Sequence, residues 1–142
     1  MKVSARNVLS GKVSAIKRGA VNAEVDLDLP GGQQIVAIIT NTSVDYLGLA
    51  VGSEALALIK APLVILSKDI AGMRFSARNL LEGTVKNILE GAVNAEVTLE
   101  LAGGLHLSAI VTEASIAGMA LKSGDKVTAL FKASSVILAV KG

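Results

Sequence analysis

Ser4-Ala5-Arg6-Asn7 opens this chain, and Ser76-Ala77-Arg78-Asn79 repeats it about 72 residues later. Outward from that pair the same offset holds without a gap. Gly19-Ala20-Val21-Asn22-Ala23-Glu24-Val25 returns as Gly91-Ala92-Val93-Asn94-Ala95-Glu96-Val97, Lys60-Ala61 as Lys132-Ala133, and Val64-Ile65-Leu66 as Val136-Ile137-Leu138. About 33 of some 70 paired positions are identical. A unit this long is a duplicated small domain, because solenoid repeats are shorter and more numerous. The expected division is residues 1–68, a linker at 69–72, and residues 73–142.

Composition limits what such a pair can be. Half the chain is hydrophobic (51%) and only 2% is aromatic. The core is therefore Val, Ile, Leu and Ala. A unit of about 70 residues buries a thin core on its own. The aliphatic surplus is expected between the two units and between subunits, as in obligate oligomers. With no cysteine, disulfides, thiolate metal sites and Cys nucleophiles are excluded. The single histidine, His106, corresponds to Gln34 in the other copy and reads as a solvated strand residue. A net charge of +2 provides no field for nucleic acid. Apolar runs are interrupted by Lys60, Lys68 and Asp69, short of a membrane span. The N-terminus lacks the pattern of a secretory signal, so a cytoplasmic protein is expected.

Hydrophobic alternation predicts strands over Val3–Ile16, with Gly11 as a bulge or bend, and over Val21–Leu29. Val21, Ala23, Val25, Leu27 and Leu29 fall on one face of the second; Asn22, Glu24, Asp26 and Asp28 fall on the other, a solvated one. Lys17-Arg18-Gly19 and Pro30-Gly31-Gly32 read as turns. A third strand spans Gln33–Ile39. Thr40 or Asn41 then caps one short helix ending near Gly48. After Val51-Gly52-Ser53, strands are expected at Glu54–Lys60 and Leu63–Leu66, broken at Pro62. The second copy repeats the plan, turning at Ala102-Gly103-Gly104 and Gly124-Asp125, with its helix starting near Thr112. Each half is five short strands with a helix between the third and fourth. The expected fold class is all-β, two tandem OB-fold barrels, with an SH3-like barrel as the alternative.

Certain polar residues keep their type while neighbours drift. Ser4 and Arg6 share a strand face and match Ser76 and Arg78. Lys60 matches Lys132, and Thr40 and Ser43 match Thr112 and Ser115, whereas Lys12 becomes Thr84 and Asn41 becomes Glu113. The retained set offers a guanidinium fork, an ammonium and hydroxyl donors, with no carboxylate among them. That suits a small, fully ionised oxyanion, which only accepts hydrogen bonds, and suits a metal cation badly. Simple helix capping by Thr40 and Ser43, and solvated charge at Arg6 and Lys60, are the plain alternatives. A Ser–Lys nucleophilic pair lacks an oxyanion hole and a cleft. Asp26 and Asp28 match Thr98 and Glu100 and read as a solvated strand face, not a calcium site. Gly19-Ala20-Val21-Asn22 and its copy suggest close backbone approach, to another chain or to a ligand.

The combination of Ser-Ala-Arg-Asn, Gly-Ala-Val-Asn-Ala-Glu-Val and Lys-Ala-Pro resembles the Mop (molybdenum–pterin-binding) domain, and the two halves together resemble a di-Mop molbindin. Lys132-Ala133-Ser134 departs from Lys60-Ala61-Pro62. The resemblance implies OB folds, a homotrimer, and molybdate or tungstate held as the oxyanion, with no catalytic cofactor. It implies sites between neighbouring subunits. One side would carry Ser4, Arg6, Lys60 and Ala61, or Ser76, Arg78, Lys132 and Ala133. The facing side would carry Thr40 and Ser43, or Thr112 and Ser115. Val21, Asn22, Val93 and Asn94 are placed at a second class of site on the three-fold axis. At this length there is no room for an ATPase or a helix-turn-helix domain, so storage and homeostasis of molybdate are expected.

Two other functions compete. A single-stranded nucleic-acid binder needs aromatic platforms along a basic groove, and the chain offers only Tyr46, Phe75 and Phe131, unmatched between copies. A purely structural oligomerisation module explains the aliphatic surplus but not the retained Ser, Arg, Lys and Thr.

Overall fold

The computed structural model describes residues 1–142. The first copy forms β1 (Asn7–Arg18), β2 (Asn22–Asp28), β3 (Gln34–Thr40), α1 (Asn41–Leu47), β4 (Glu54–Ile59) and β5 (Ile65–Ser67). The second forms β6 (Asn79–Glu90), β7 (Asn94–Leu101), β8 (His106–Thr112), α2 (Glu113–Met119), β9 (Lys126–Phe131) and β10 (Ile137–Ala139). Short 3-10 turns at Ala61–Leu63 and Ala133–Ser135 precede β5 and β10, and a third lies at Ala102–Gly104. The strands make two five-stranded antiparallel sheets, curled into tandem OB-like barrels.

The sheets do not coincide with the sequence halves. Their orders are β10-β4-β1-β2-β3 and β5-β9-β6-β7-β8. Each copy hands its last strand to the other. Ile65 and Leu66 pair with Leu130 and Ala129, and Ile137 and Leu138 pair with Leu58 and Ala57. The inward residues of both halves accordingly merge into one cluster of 30 buried side chains, aliphatic except for Phe131. The surplus expected between the two units is buried there. Lys68, just past β5, is pinned on the second half by Asp125 at 3.0 Å and the Met119 carbonyl at 3.1 Å. Asp125 is held below the usual carboxylate range, first by the Lys122 backbone N–H and then by Lys68.

A pair of buried asparagines joins the barrels. Asn79, the first residue of β6, accepts from Val36 N–H at 2.7 Å and donates to Val36 C=O at 2.8 Å. Asn7, the first residue of β1, does the same to Ser108, at 2.7 and 2.8 Å. Val36 and Ser108 lie on β3 and β8, the outer strands of their sheets. Each side-chain amide therefore stands in for a neighbouring strand and satisfies an edge residue whose N–H and C=O would otherwise be open. The two hairpin tips also meet, backbone against backbone. A Cβ on Gly31 would lie 2.4 Å from the Ala102 carbonyl carbon, and one on Gly103 would lie 2.4 Å from the Pro30 oxygen. Both glycines have positive φ, 92° and 81°.

Some sequence expectations shift. The irregularity in β1 falls between Val13 and Ala15, not at Gly11. Gly11 instead lets β2 approach closely, since a Cβ there would sit 2.9 Å from the Asp28 oxygen. Lys17 and Arg18 continue β1, so the turn begins at Gly19. Val21 precedes β2 and is 70% exposed, off the buried face assigned to it. Both helices start as expected, with Thr40 and Thr112 as caps. α1 ends on left-handed Gly48, but α2 ends on Ala120 at φ 48°.

Two outcomes follow for stability. Asn79→Ala leaves both polar groups of Val36 buried without partners and is expected to cost about 2–4 kcal/mol, read as a lower urea midpoint with unchanged m-value. Ala120→Gly relieves a left-handed alanine and is expected to raise stability by about 1 kcal/mol in the same assay.

Candidate functional site

Residues 1–6 and 73–78 lie just ahead of β1 and β6, and each run leads directly into a clasping asparagine. That anchor sets Ser76 and Arg78 beside the turn that follows β9. Ser76, Arg78, Lys132 and Ala133 thereby line one groove of about 690 Å³, together with Ser134, Ser135 and an apolar floor that includes Ile65 and Leu130. Ser4 and Lys60 line the matching groove of about 290 Å³, with Leu58 and Ile137 in the equivalent places. Leu63 and Ser135 border both grooves. No acidic residue lines either one. Ala61 is buried in its turn, and Arg6 lies outside the lining of the smaller groove.

Both arginines lean on glutamates of the other copy. Arg6 is 3.4 Å from Glu96, and Arg78 hydrogen-bonds Glu24. The Glu24 carboxylate holds the Arg78 guanidinium more firmly protonated than usual, through the hydrogen bond first and charge second. These partners are Glu24 and Glu96 of the repeated Gly-Ala-Val-Asn-Ala-Glu-Val stretch. Their retention in both copies was the available signal, and the sequence reading gave them no role. Asn7 and Asn79 carried the same signal.

The threonine and serine pairs are built alike. Thr40 Oγ1 accepts from Ser43 N–H at 3.0 Å and donates to Ser43 Oγ at 2.9 Å. Thr112 Oγ1 likewise accepts from Ser115 N–H at 3.1 Å, and the two hydroxyl oxygens share a hydrogen bond of 2.8 Å. Capping is thus one of their roles in both copies. Since Thr40 donates to Ser43 Oγ, the Ser43 hydroxyl hydrogen is left to point elsewhere. Thr112 and Ser115 line a third groove of about 380 Å³, which shares Pro62 and Ile65 with the groove of Ser76, Arg78 and Lys132.

Asn22 and Asn94 open β2 and β7 directly opposite Thr40 and Thr112. The loops before them are closed by Gly19 N–H to Asn22 C=O at 2.7 Å and by Asn41 N–H to Val21 C=O at 2.9 Å. Glu113 N–H to Val93 C=O, at 2.8 Å, is the second-copy equivalent. Packing within the chain thus explains part of the Gly-Ala-Val-Asn motif, while Val21 and Val93 remain 70% and 71% exposed. Asp26 is not the freely solvated carboxylate expected of it. One of its oxygens is buried without a partner. Burial first, then Glu24, pushes its pKa up against the opposing pull of Arg78. Phe131 belongs to the core and Tyr46 stands exposed on α1, so they form no stacking platform with Phe75. His106 is exposed beside Lys86 and Glu100.

Running out from the grooves, two apolar rows cross the sheets in register. One is Val8, Leu58 and Ile137; the other is Leu80, Leu130 and Ile65. Val8, Ile137, Leu80 and Ile65 are exposed.

Fold and grooves define a duplicated OB-barrel protein whose two halves carry the same polar set. The chain belongs to the TOBE-domain family, matched twice, at residues 3–66 and 76–138. Its tandem arrangement is that of the di-Mop molbindins. It superimposes with a TM-score of 0.96, at 54% identity, on a structure of the cytoplasmic molybdate-binding protein ModG with molybdate bound, covering 99% of this chain and 100% of that one. It is 45% identical over 141 residues to the molybdenum transport protein ModE of Herbaspirillum seropedicae. It is 44% identical over 140 residues to the molybdenum-pterin-binding protein MopA of Rhodobacter capsulatus. Each of these alignments takes in 99% of this chain. The chain spans about half the length of these curated relatives, 52% and 53%.

The Asp26 environment makes a pH-dependent prediction. Its folded pKa lies above the unfolded value of 3.8, so the stability it contributes is full below that value and is lost as pH rises through the folded pKa. At neutral pH the ionised carboxylate is a net cost. Asp26→Asn is expected to be more stable than wild type at pH 7, with the difference vanishing below pH 3.8, in thermal melts across that range.

Proposed function

We propose that this protein binds molybdate, and its close analogue tungstate, as the intact oxyanion. It acts without catalysis, as a cytoplasmic store and buffer. The observation that carries this reading is the groove in which Arg78, Lys132 and Ser76 converge with no carboxylate in its lining. The resemblance to a molybdate-bound structure over the whole chain supports it, as do the molybdenum-related ModE and MopA relatives.

Each Mop domain (1–68 and 73–142, joined by 69–72) supplies one cationic set. Ser4, Arg6, Lys60 and Ala61 make the first, and Ser76, Arg78, Lys132 and Ala133 the second. The sites are completed by Thr40 and Ser43, or Thr112 and Ser115, of a neighbouring copy in a homotrimer. The exposed apolar rows beside the grooves are the surface such a neighbour covers. The exposed Val21-Asn22 and Val93-Asn94 loops meet at the three-fold axis and supply a second class of site. Exposed ion pairs contribute little, typically about 0–1 kcal/mol. The guanidinium of Arg78 therefore turns from Glu24 to a bound dianion at small cost. Sulfate has the same shape and charge but is smaller, so discrimination falls to groove size.

Native mass spectrometry with and without molybdate, and with sulfate as control, tests the reading. A trimer gaining several molybdates and no sulfate is expected. A folded protein that takes up no molybdate overturns it. The double change Arg6→Ala and Arg78→Ala is expected to lower affinity about tenfold or more at the grooves, since a hydrogen bond to a charged group is worth about 1.5–3 kcal/mol. Unchanged uptake by that folded variant removes the arginines from the site.

A further inference from the structure

The two copies match in sequence at Arg6 and Arg78, at Lys60 and Lys132 and at the alanine that follows each lysine, and part company at the residue after it. Pro62-Leu63 follows Lys60-Ala61, whereas Ser134-Ser135 follows Lys132-Ala133. The backbone does not change with them. Lys60 and Lys132 enter their turns at φ −71°, ψ 131° and φ −76°, ψ 141°. Each turn is closed by one hydrogen bond of 3.0 Å, Leu63 N–H to Lys60 C=O and Ser135 N–H to Lys132 C=O. The difference is chemical. Pro62 has no N–H and no side-chain donor, while Ser134 has an N–H and a hydroxyl. Ser134 is exposed and lines the larger groove with Ser76, Arg78 and Lys132. Pro62 is absent from the lining of the smaller groove and instead lines the larger one, so the smaller groove gains no donor at the position equivalent to Ser134.

Resting on the reading that these grooves take a tetrahedral oxyanion, we propose that the two grooves of one chain are unequal and that Ser134 makes the second the tighter. An ion that only accepts hydrogen bonds gains from each added donor and has nothing to exchange with proline. Ser134 is thus an affinity-determining residue for one class of site, and the duplicated chain holds its anions at two strengths. It releases one set while retaining the other.

The test is isothermal titration of the full chain with sodium molybdate, comparing wild type, Ser134→Pro and Ser134→Ala. Wild type is expected to show two groove classes in equal number, differing in affinity by about tenfold or more. Ser134→Pro should move the tight class to the weak one without changing the total bound. The turn already carries proline in the first copy, so Ser134→Pro is compatible with its backbone. Ser134→Ala, which keeps the N–H, gives a second and smaller loss at the same class. Axis sites are common to all variants, so the readout is the change between variants. Molybdate binding with one groove class in wild type, or with both classes unmoved in the variants, overturns the inference alone. No molybdate binding by wild type overturns the proposed function and this inference with it.

Discussion

Asn7 and Asn79 are the only polar residues buried as a whole, at 2% and 1% exposure. Each makes two backbone hydrogen bonds across the boundary between barrels. A buried polar group without partners costs far more than a made hydrogen bond returns, so the clasp fixes how the barrels sit. It also fixes the ligand segment. Ser76 and Arg78 precede β6 and belong to no strand of their own. They hold position because the residue after Arg78 is locked to Val36. The polar set and the fold therefore depend on one interaction, and Asn stands beside Arg in both copies for that reason.

The glutamate partners extend the same logic. Each arginine comes from one copy and its carboxylate from β2 or β7 of the other. With half or more of each arginine side chain exposed, these pairs stabilise little. Their effect is orientation: the guanidinium is kept near the groove mouth, still able to turn to a stronger acceptor. Glu24 also raises the burden on Asp26, two residues along the same strand face.

Much of this was legible in the sequence, and the rest was hidden for identifiable reasons. Turn glycines and helix caps act locally, so Pro30-Gly31-Gly32, Thr40 and Thr112 read correctly. Alternation placed Ala23, Val25 and Leu27 inside. It failed at Val21 because a strand's period says nothing of where its pairing begins. Gly11 looked like a bulge, but the need was space for β2, a tertiary fact. The arginines and hydroxyls were visible through their retention. Their glutamate partners were retained equally, yet nothing local says which copy a charge will face. The exchange of β5 and β10 was invisible in principle. Ile65 and Leu66 meet Leu130 and Ala129. The matching positions of their own half, Leu58 and Ala57, are the same residue types. Side-chain chemistry at those two positions is degenerate, so chain geometry decides.

That exchange has a kinetic side. Two separate copies of the repeat would have to find each other before either sheet had its fifth strand, and their union would depend on concentration. Joined through the few residues after β5, each copy meets the other at an effective concentration in the millimolar range, on the scale of short tethers. Duplication within one chain turned a bimolecular assembly into a unimolecular one. Neither half can shed its borrowed strand by dilution, and the pair of grooves is present in every folded molecule however scarce the protein becomes.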